Sequence, residues 1–202
     1  MNLTIQIFQN AQWQDAALLE VPEPTEGRQG LALLSYHPQS YAIEHFEEDD
    51  ASACSMNLPV SLMDIYRSRP WFTFLDDIMP AGASRRYWVN ALGIGHLTGR
   101  QQDFQLLAKG TIAPVGNLRI KESVPEKISG SQLASMRFQV EDVVERHTDF
   151  LEYAQAMGAA SGGATGAGGE APKLLLRCSP ENQIWIDTWQ DDLTNTDQHY
   201  LV

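Results

Sequence analysis

Six of the chain's fifteen glycines fall within residues 158–169, in the run Gly158-Ala159-Ala160-Ser161-Gly162-Gly163-Ala164-Thr165-Gly166-Ala167-Gly168-Gly169-Glu170-Ala171-Pro172-Lys173. Backbone amides without a neighbouring Cβ can approach phosphate oxygens closely, so phosphate binding is the chemistry this composition offers. The plainer reading is a loose linker of small residues. Two details weigh against it: the run stops abruptly at Pro172-Lys173, and Leu174-Leu175-Leu176-Arg177-Cys178 reads as a buried strand. Three phosphate loops can be compared. Gly163 and Gly168 have the Walker spacing, but Gly169 stands where the lysine belongs. Gly166, Gly168 and Ala171 fit a dinucleotide fingerprint only loosely, and Pro172 followed by a strand leaves no helix to receive a pyrophosphate. A loop lying over phosphates within a β-sheet suits the strand that follows.

Other reactive residue types are less organised. Glu44, Glu47, Glu48, Asp49 and Asp50 crowd seven positions without the ligand spacing of a calcium loop, and read as a solvated acidic loop. The five histidines, at 37, 45, 96, 147 and 199, show no metal-ligand pairing. His147 falls on an apolar helical stripe and is expected to be a hydrogen-bonded core histidine. Cys54 and Cys178 are the only cysteines, too few for a disulfide scaffold and consistent with a reducing cytoplasm.

Composition narrows the setting. The 202 residues are 43% hydrophobic and 20% charged, enough to bury a core without staples. Fourteen basic against 26 acidic residues give a net charge of −12, which repels phosphate backbones and argues against direct nucleic-acid binding. No apolar run approaches bilayer length, and Met1-Asn2-Leu3-Thr4-Ile5 lacks the basic region of a secretory signal. A cytoplasmic location with no membrane partner is expected.

The elements that must position the glycine-rich run can be read from periodicity. Leu3, Ile5 and Ile7 alternate with polar residues, and Trp13–Val21 reads as the return strand. Pro22 to Gly27 reads as a turn or loop, and Leu31–Tyr36 as a buried strand. Between Ser61 and Gly110 the pattern is helical: Trp71 to Met79 stopped by Pro80 and Gly82, Tyr87 to Leu92 ending near Gly93, and Phe104 to Ala108 ending at Gly110. Val115–Ile120 returns to strand. Glu122–Gly130 is polar and is the best candidate for an internal boundary. One amphipathic helix is then expected, with Val140, Val143, Val144, His147, Phe150, Leu151, Ala154 and Met157 on its stripe and Gly158 at its end. After the glycines, Leu174–Cys178, a turn at Pro180-Glu181-Asn182 and Ile184–Trp189 make a hairpin, with a last strand from His199.

Several stretches resemble the HipA family of bacterial serine/threonine kinases, the toxins of HipA–HipB toxin–antitoxin systems. Ser55-Met56-Asn57-Leu58-Pro59 is similar to the family's Ser-Leu-x-Leu-Pro. Phe72-Thr73-Phe74-Leu75-Asp76-Asp77-Ile78-Met79-Pro80-Ala81-Gly82, with Arg85 and Arg86, resembles its Phe-x-x-Asn-Leu-Leu-Pro-Glu-Gly…Arg signature. Phe104-Gln105-Leu106-Leu107-Ala108-Lys109 and then Val115-Gly116-Asn117-Leu118 resemble its Phe-x-Leu-Leu…Gly-Ala-Leu segment. Ser161-Gly162-Gly163…Ala171-Pro172-Lys173 resembles its Ser-x-Gly-Gly-Ala-x-Pro-Lys loop. The four stand in the family's order. The departures are an expanded glycine loop, Asp77 and Met79 in the second stretch, and Ala113-Pro114 ahead of Val115.

The resemblance implies an α+β fold. Residues 1–125 would be the family's small mixed N-terminal subdomain and 126–202 the start of a kinase-like N-lobe with antiparallel strands. It implies that Ser161, Gly162, Gly163, Thr165, Gly166, Gly168, Gly169 and Lys173 lie against ATP phosphates, and that Ser161, or Thr165 in the expanded loop, is autophosphorylated. A phosphate there adds roughly −1.5 to −2 charges where the nucleotide phosphates should sit, so the two exclude one another. Phosphoryl transfer also needs a strand lysine, a catalytic aspartate and magnesium ligands. His147-Thr148-Asp149-Phe150 matches two kinase motifs superficially, but it lies in an amphipathic helix, Ala154 follows where an asparagine is needed and no glycine follows Phe150. No catalytic residue or metal ligand is therefore assigned. The chain is expected to be a truncated or split kinase part, inactive and without tightly bound ATP or Mg alone. Its expected partners are the missing kinase lobe or a separately encoded kinase, and a HipB-like helix-turn-helix antitoxin. The alternative is a stand-alone, antitoxin-like interaction module.

Overall fold

The structure is a computed structural model and describes residues 1–48, 50–111, 116–124, 135–157, 174–187, 189, 192 and 194–202. The alternation at the N-terminus builds strand β1 (Asn2–Gln9). Asn10 and Ala11, both at positive φ, turn it tightly into β2 (Gln12–Glu20). The register shifts by one residue between Ile5 and Gln6, a bulge within the pair. β3 (Ala32–Tyr36) pairs with β2, and β4 (Tyr66–Ser68) with β3. β5 (Leu118–Ile120) returns to the far side of β1, placing Ile120 opposite Ile5. All pairs are antiparallel, in the order β4-β3-β2-β1-β5.

Helices α1 (Phe74–Ile78), α2 (Gly82–Ala91) and α3 (Gly99–Lys109) occupy the later part of the span from Ser61 to Gly110 predicted to be helical. Its first part is not helical and contains β4, which pairs with the edge of β3. Thr98 and Gln101 form a reciprocal capping box that starts α3, and Gly110 follows its end. The sheet residues Ile5, Ile7, Leu19 and Leu34 join Trp71, Leu75, Met79, Leu106 and Leu107 in one core. Into this apolar layer the fold brings a carboxylate, Asp103, only 7% exposed. Arg85 donates to it at 2.8 Å, and the Arg28 amide donates at 3.4 Å. Arg28 in turn lies 3.3 Å from Asp76, which also accepts from the Trp71 indole at 3.2 Å. Burial of the charge is tolerable because cation and amide partners replace water.

The residues Pro22–Gly27, read as a loop, end in 3-10 turns over Pro24–Gln29 that lie against α3. Gly27 makes that approach possible. Its φ is +53°, and a Cβ there would stand 2.2 Å from the Arg100 carbonyl oxygen and 2.8 Å from Asp103 Oδ2.

A second, antiparallel sheet contains β6 (Leu175–Cys178), β7 (Ile184–Trp185) and β8 (Gln198–Leu201) in the order β7-β6-β8. The strand expected over Ile184–Trp189 is thus shorter, although Phe138 extends its pairing through two backbone bonds with Ile184. The single helix expected after residue 140 is two: α4 (Val140–Val144) and α5 (Thr148–Ala156). Arg146, at φ +54°, breaks the run. His147 is not a core histidine. Its half-exposed ring bonds Asp142 at 2.9 Å and Glu145 at 3.0 Å. The two carboxylates draw the imidazole outward, and the stripe divides with it: Val143, Phe150, Ala154 and Met157 are buried, joined by Tyr153 from outside the predicted stripe, whereas Val140, Val144 and Leu151 are exposed.

The fold is therefore mixed α/β with a five-stranded and a three-stranded antiparallel sheet. Of the polar stretch proposed as a boundary, Glu122 and Ser123 belong to a 3-10 turn over Lys121–Ser123, and residues 125–130 lie outside the described residues, as does Gly158. Arg119 on β5 crosses between the two parts. It donates to Gln6 at 2.7 Å and to the Trp189 carbonyl at 3.0 Å, with its guanidinium 4.0 Å from the Trp13 ring centroid. Among the described residues no helix is long and apolar enough to cross a membrane.

Gly27→Ala is expected to lower stability by about 3 kcal/mol, read as a shifted urea midpoint. Gly99→Ala, whose Cβ would meet nothing within 4 Å, should leave the midpoint nearly unchanged. A second expectation concerns pH. The hydrogen bonds to Asp142 and then Glu145 raise the His147 pKa above 6.5. A raised folded pKa contributes stability that is complete below the unfolded value and is lost as pH rises through the folded one. Thermal melts should show His147→Asn less stable than the parent at about pH 5.5 and equal to it well above neutrality. Equal melting at both would refute the bridge.

Candidate functional site

The glycine-rich run and every residue assigned to nucleotide phosphates, Ser161, Gly162, Gly163, Thr165, Gly166, Gly168, Gly169 and Lys173, lie outside the described residues. What holds the two ends of that run is described. Met157, following α5, is 6% exposed and belongs to the same core as Leu174, which precedes β6. Leu174 is further fixed by two backbone bonds with Val202, at 2.7 and 2.9 Å. Phe138, Phe150 and Tyr153 pack their rings within that core, and the Tyr153 hydroxyl accepts the Ile186 amide at 3.0 Å. Residues 158–173 therefore leave from and return to one small hydrophobic cluster on an antiparallel sheet.

The charges on this sheet are already engaged. Arg177, on β6, pairs with Asp187 at 3.0 Å and donates to the Asp197 carbonyl at 3.0 Å. Asp197 also accepts the Trp185 indole at 2.7 Å. His199 faces Arg177 across the ladder, and burial first, then the Arg177 charge, lower its pKa. Both effects favour the neutral imidazole, and the guanidinium serves the sheet. Neither supplies a spare cation for a triphosphate.

The segments compared with the HipA family meet elsewhere. A cleft of about 470 Å³ is lined by Cys54, Ser55, Phe74, Asp77, Ile78, Gly116, Asn117 and Leu118. Three of the four similar stretches thus contribute to one surface. Val115 lies outside the described residues, and Phe104, Leu106 and Leu107 serve the core behind. Arg85, from the second stretch, serves the Asp103 network instead of the cleft.

Cys54, which lines the cleft, is a buried thiol held in its protonated form. Burial pushes the Cys54 pKa up to about 12. Its amide donates to the Tyr36 hydroxyl at 2.9 Å, which donates to the Leu58 carbonyl at 2.6 Å. Burial likewise raises the pKa of Tyr36 and Tyr41 above the ordinary phenol value. These groups fasten a loop. Within the acidic loop, Glu48 bonds His45 at 2.8 Å, and Asp50 accepts the Ser52 amide at 2.9 Å. Among the described residues no group of three His, Cys, Asp or Glu could hold a metal ion.

Sequence reasoning missed the Arg28–Asp76–Asp103–Arg85 network and the meeting of segments at the cleft. The only signal for the first was Arg85, singled out by the resemblance. For the second, the order of the similar stretches carried no spatial information. Comparison with family models, with curated proteins and with solved structures returned no match.

Burial separates the two thiols, and Cys178 is partly exposed. In the folded protein Ellman's reagent should titrate Cys178 first, with Cys54 reacting only on denaturation; two thiols reacting at one rate would contradict the buried assignment.

Proposed function

We propose that this chain is the N-terminal portion of a HipA-like serine/threonine protein kinase. It supplies a glycine-rich loop to the phosphates of ATP and a surface for partners. The observation that carries the proposal is that Met157 and Leu174, which flank residues 158–173, belong to one hydrophobic cluster beside the β6–β8 ladder. A phosphate-covering loop works only if its ends are held while its amides face the nucleotide. The shared cleft adds support, since segments similar to one family and far apart in sequence contribute to one surface.

The division of labour follows from the side chains present. The run offers amides, the hydroxyls of Ser161 and Thr165, and the Lys173 ammonium. The strand lysine, catalytic aspartate and magnesium ligands must come from a kinase lobe, either in the same polypeptide or separately encoded. Amides alone compensate poorly for the charge of a triphosphate beside a chain of net charge −12. A HipB-like helix-turn-helix antitoxin would supply any operator contact. The alternative is a stand-alone interaction module that acts on a separate kinase; the glycine loop and hairpin, which a pure inhibitor need not carry, weigh toward the kinase part.

Two measurements test this. Calorimetric titration of the chain alone should show no micromolar affinity for ATP with magnesium. The whole reading frame, expressed with its neighbouring genes and supplied with labelled ATP, should incorporate phosphate at Ser161 or Thr165, located by mass spectrometry. Ser161→Ala with Thr165→Ala should abolish that label. A labelled kinase distinct from this chain, in stable complex with it, would favour the module. No phosphate incorporation in any product of the locus would overturn the kinase reading.

A further inference from the structure

Residues 43–65 leave the first sheet as one closed lobe. Two backbone bonds shut it, from the Glu47 amide to the Val60 carbonyl and from the Val60 amide to the Glu48 carbonyl, both 2.8 Å. Inside, Tyr36 and Tyr41 pin it with hydroxyls donated to Leu58 and Ser52 carbonyls, each at 2.6 Å. Outside, it combines two properties. Ile43, Phe46, Met56, Met63 and Ile65 are 65%, 50%, 82%, 89% and 65% exposed, five of the eleven large hydrophobics so exposed among the described residues. The same span contains Glu44, Glu47, Glu48, Asp49, Asp50 and Asp64, and neither Lys nor Arg. Among the described residues only Glu48 has an ion-pair partner there, His45.

The lobe borders the cleft. Ser55 lines it directly, and the Asn117 amide nitrogen donates to the Ala51 carbonyl at 3.2 Å, which ties the acidic turn to the opposite wall. Phe74, Ile78 and Leu118 give that wall an apolar surface, and among the described residues Asp77 is the one charged residue lining it.

We infer that the lobe and cleft form a docking surface for a basic amphipathic helix of a partner protein. An apolar stripe on the helix would lie against Phe46, Met56 and Met63, and its flanking Lys and Arg would meet the carboxylates. Methionine is unbranched and polarisable, so it adapts to varied apolar side chains, and helix-in-groove recognition uses such surfaces. Charge selects this occupant over others. An anionic membrane surface repels six carboxylates, and a second copy of the chain brings another net −12. The inference stands independently of the role of residues 158–173.

The test uses the full chain and a fluorescein-labelled helical peptide of Leu and Lys with its leucines on one face. Binding is read by fluorescence anisotropy at low and at physiological salt. The peptide should bind, and a scrambled peptide of equal composition, lacking the apolar face, should bind at least about tenfold more weakly. Phe46→Ser with Met56→Ser and Met63→Ser alters only exposed side chains, and should weaken binding by about tenfold or more. Glu44→Gln with Glu47→Gln and Asp64→Asn should weaken it severalfold and flatten the salt dependence. Amide chemical shifts on binding should change at residues 43–65 and around the cleft. Failure of the Leu-Lys peptide to bind, equal binding of the scrambled peptide, undiminished binding by the triple serine variant, or shifts confined to other faces each overturns the inference.

Discussion

A single buried carboxylate holds the larger part of this molecule in register. Asp103 sits on α3 inside an apolar core, where an unpaired charge costs several kcal/mol. It is tolerable only while Arg85 from α2 and the Arg28 amide from the preceding turn reach it. Those contacts dictate much else. Gly27 must lack a side chain so that the turn can approach α3, Arg28 is left oriented toward Asp76, and Asp76 accepts the Trp71 indole. Helices that are short and only modestly amphipathic are thereby locked together by directional bonds in addition to apolar contact.

The smaller sheet is organised by different means. Its core is a handful of aromatic and aliphatic side chains around Phe138 and Tyr153, and its polar positions pair internally through Arg177, Asp187 and Asp197. Arg119 connects it to the larger sheet. With its guanidinium over Trp13 and its donors on Gln6 and the Trp189 carbonyl, it links both parts through one side chain. An arginine suits this place because it is planar, permanently charged and able to stack while donating.

Much of the architecture was legible because local pattern and tertiary demand agree. Leu3, Ile5 and Ile7 alternate and are buried, Leu31–Tyr36 closely brackets β3, and Pro80, Gly93 and Gly110 punctuate the helices near the observed limits. Where they disagreed, long-range or electrostatic terms won. A helical period runs unbroken through Arg146 and His147, yet Asp142 and Glu145 take the imidazole and the helix divides there. β4, three residues long, carries too little period to be seen and exists because β3 offers it an edge. Asp103 looks like a surface residue until Arg85, 18 positions away, and Arg28, 75 away, are brought beside it. The strand after the glycine run was legible and is β6, whereas the convergence of Ser55, Asp77 and Gly116 on one cleft was not, because their order along the chain carries no spatial information.

The placement of β5 has a consequence for synthesis. Arg119 and Gln6, bonded in the finished sheet, are 113 residues apart. As the chain emerges from the ribosome, β1 and β2 can close at once through their two-residue turn. The outer edge of β1 then stays without its partner until Leu118–Ile120 arrives. An uncovered edge with Ile5 and Ile7 beside it can pair with other chains, so this interval carries an aggregation hazard. The bulge in the β1–β2 pair places its extra residue, Ala16, on β2, so it leaves the outer edge of β1 regular.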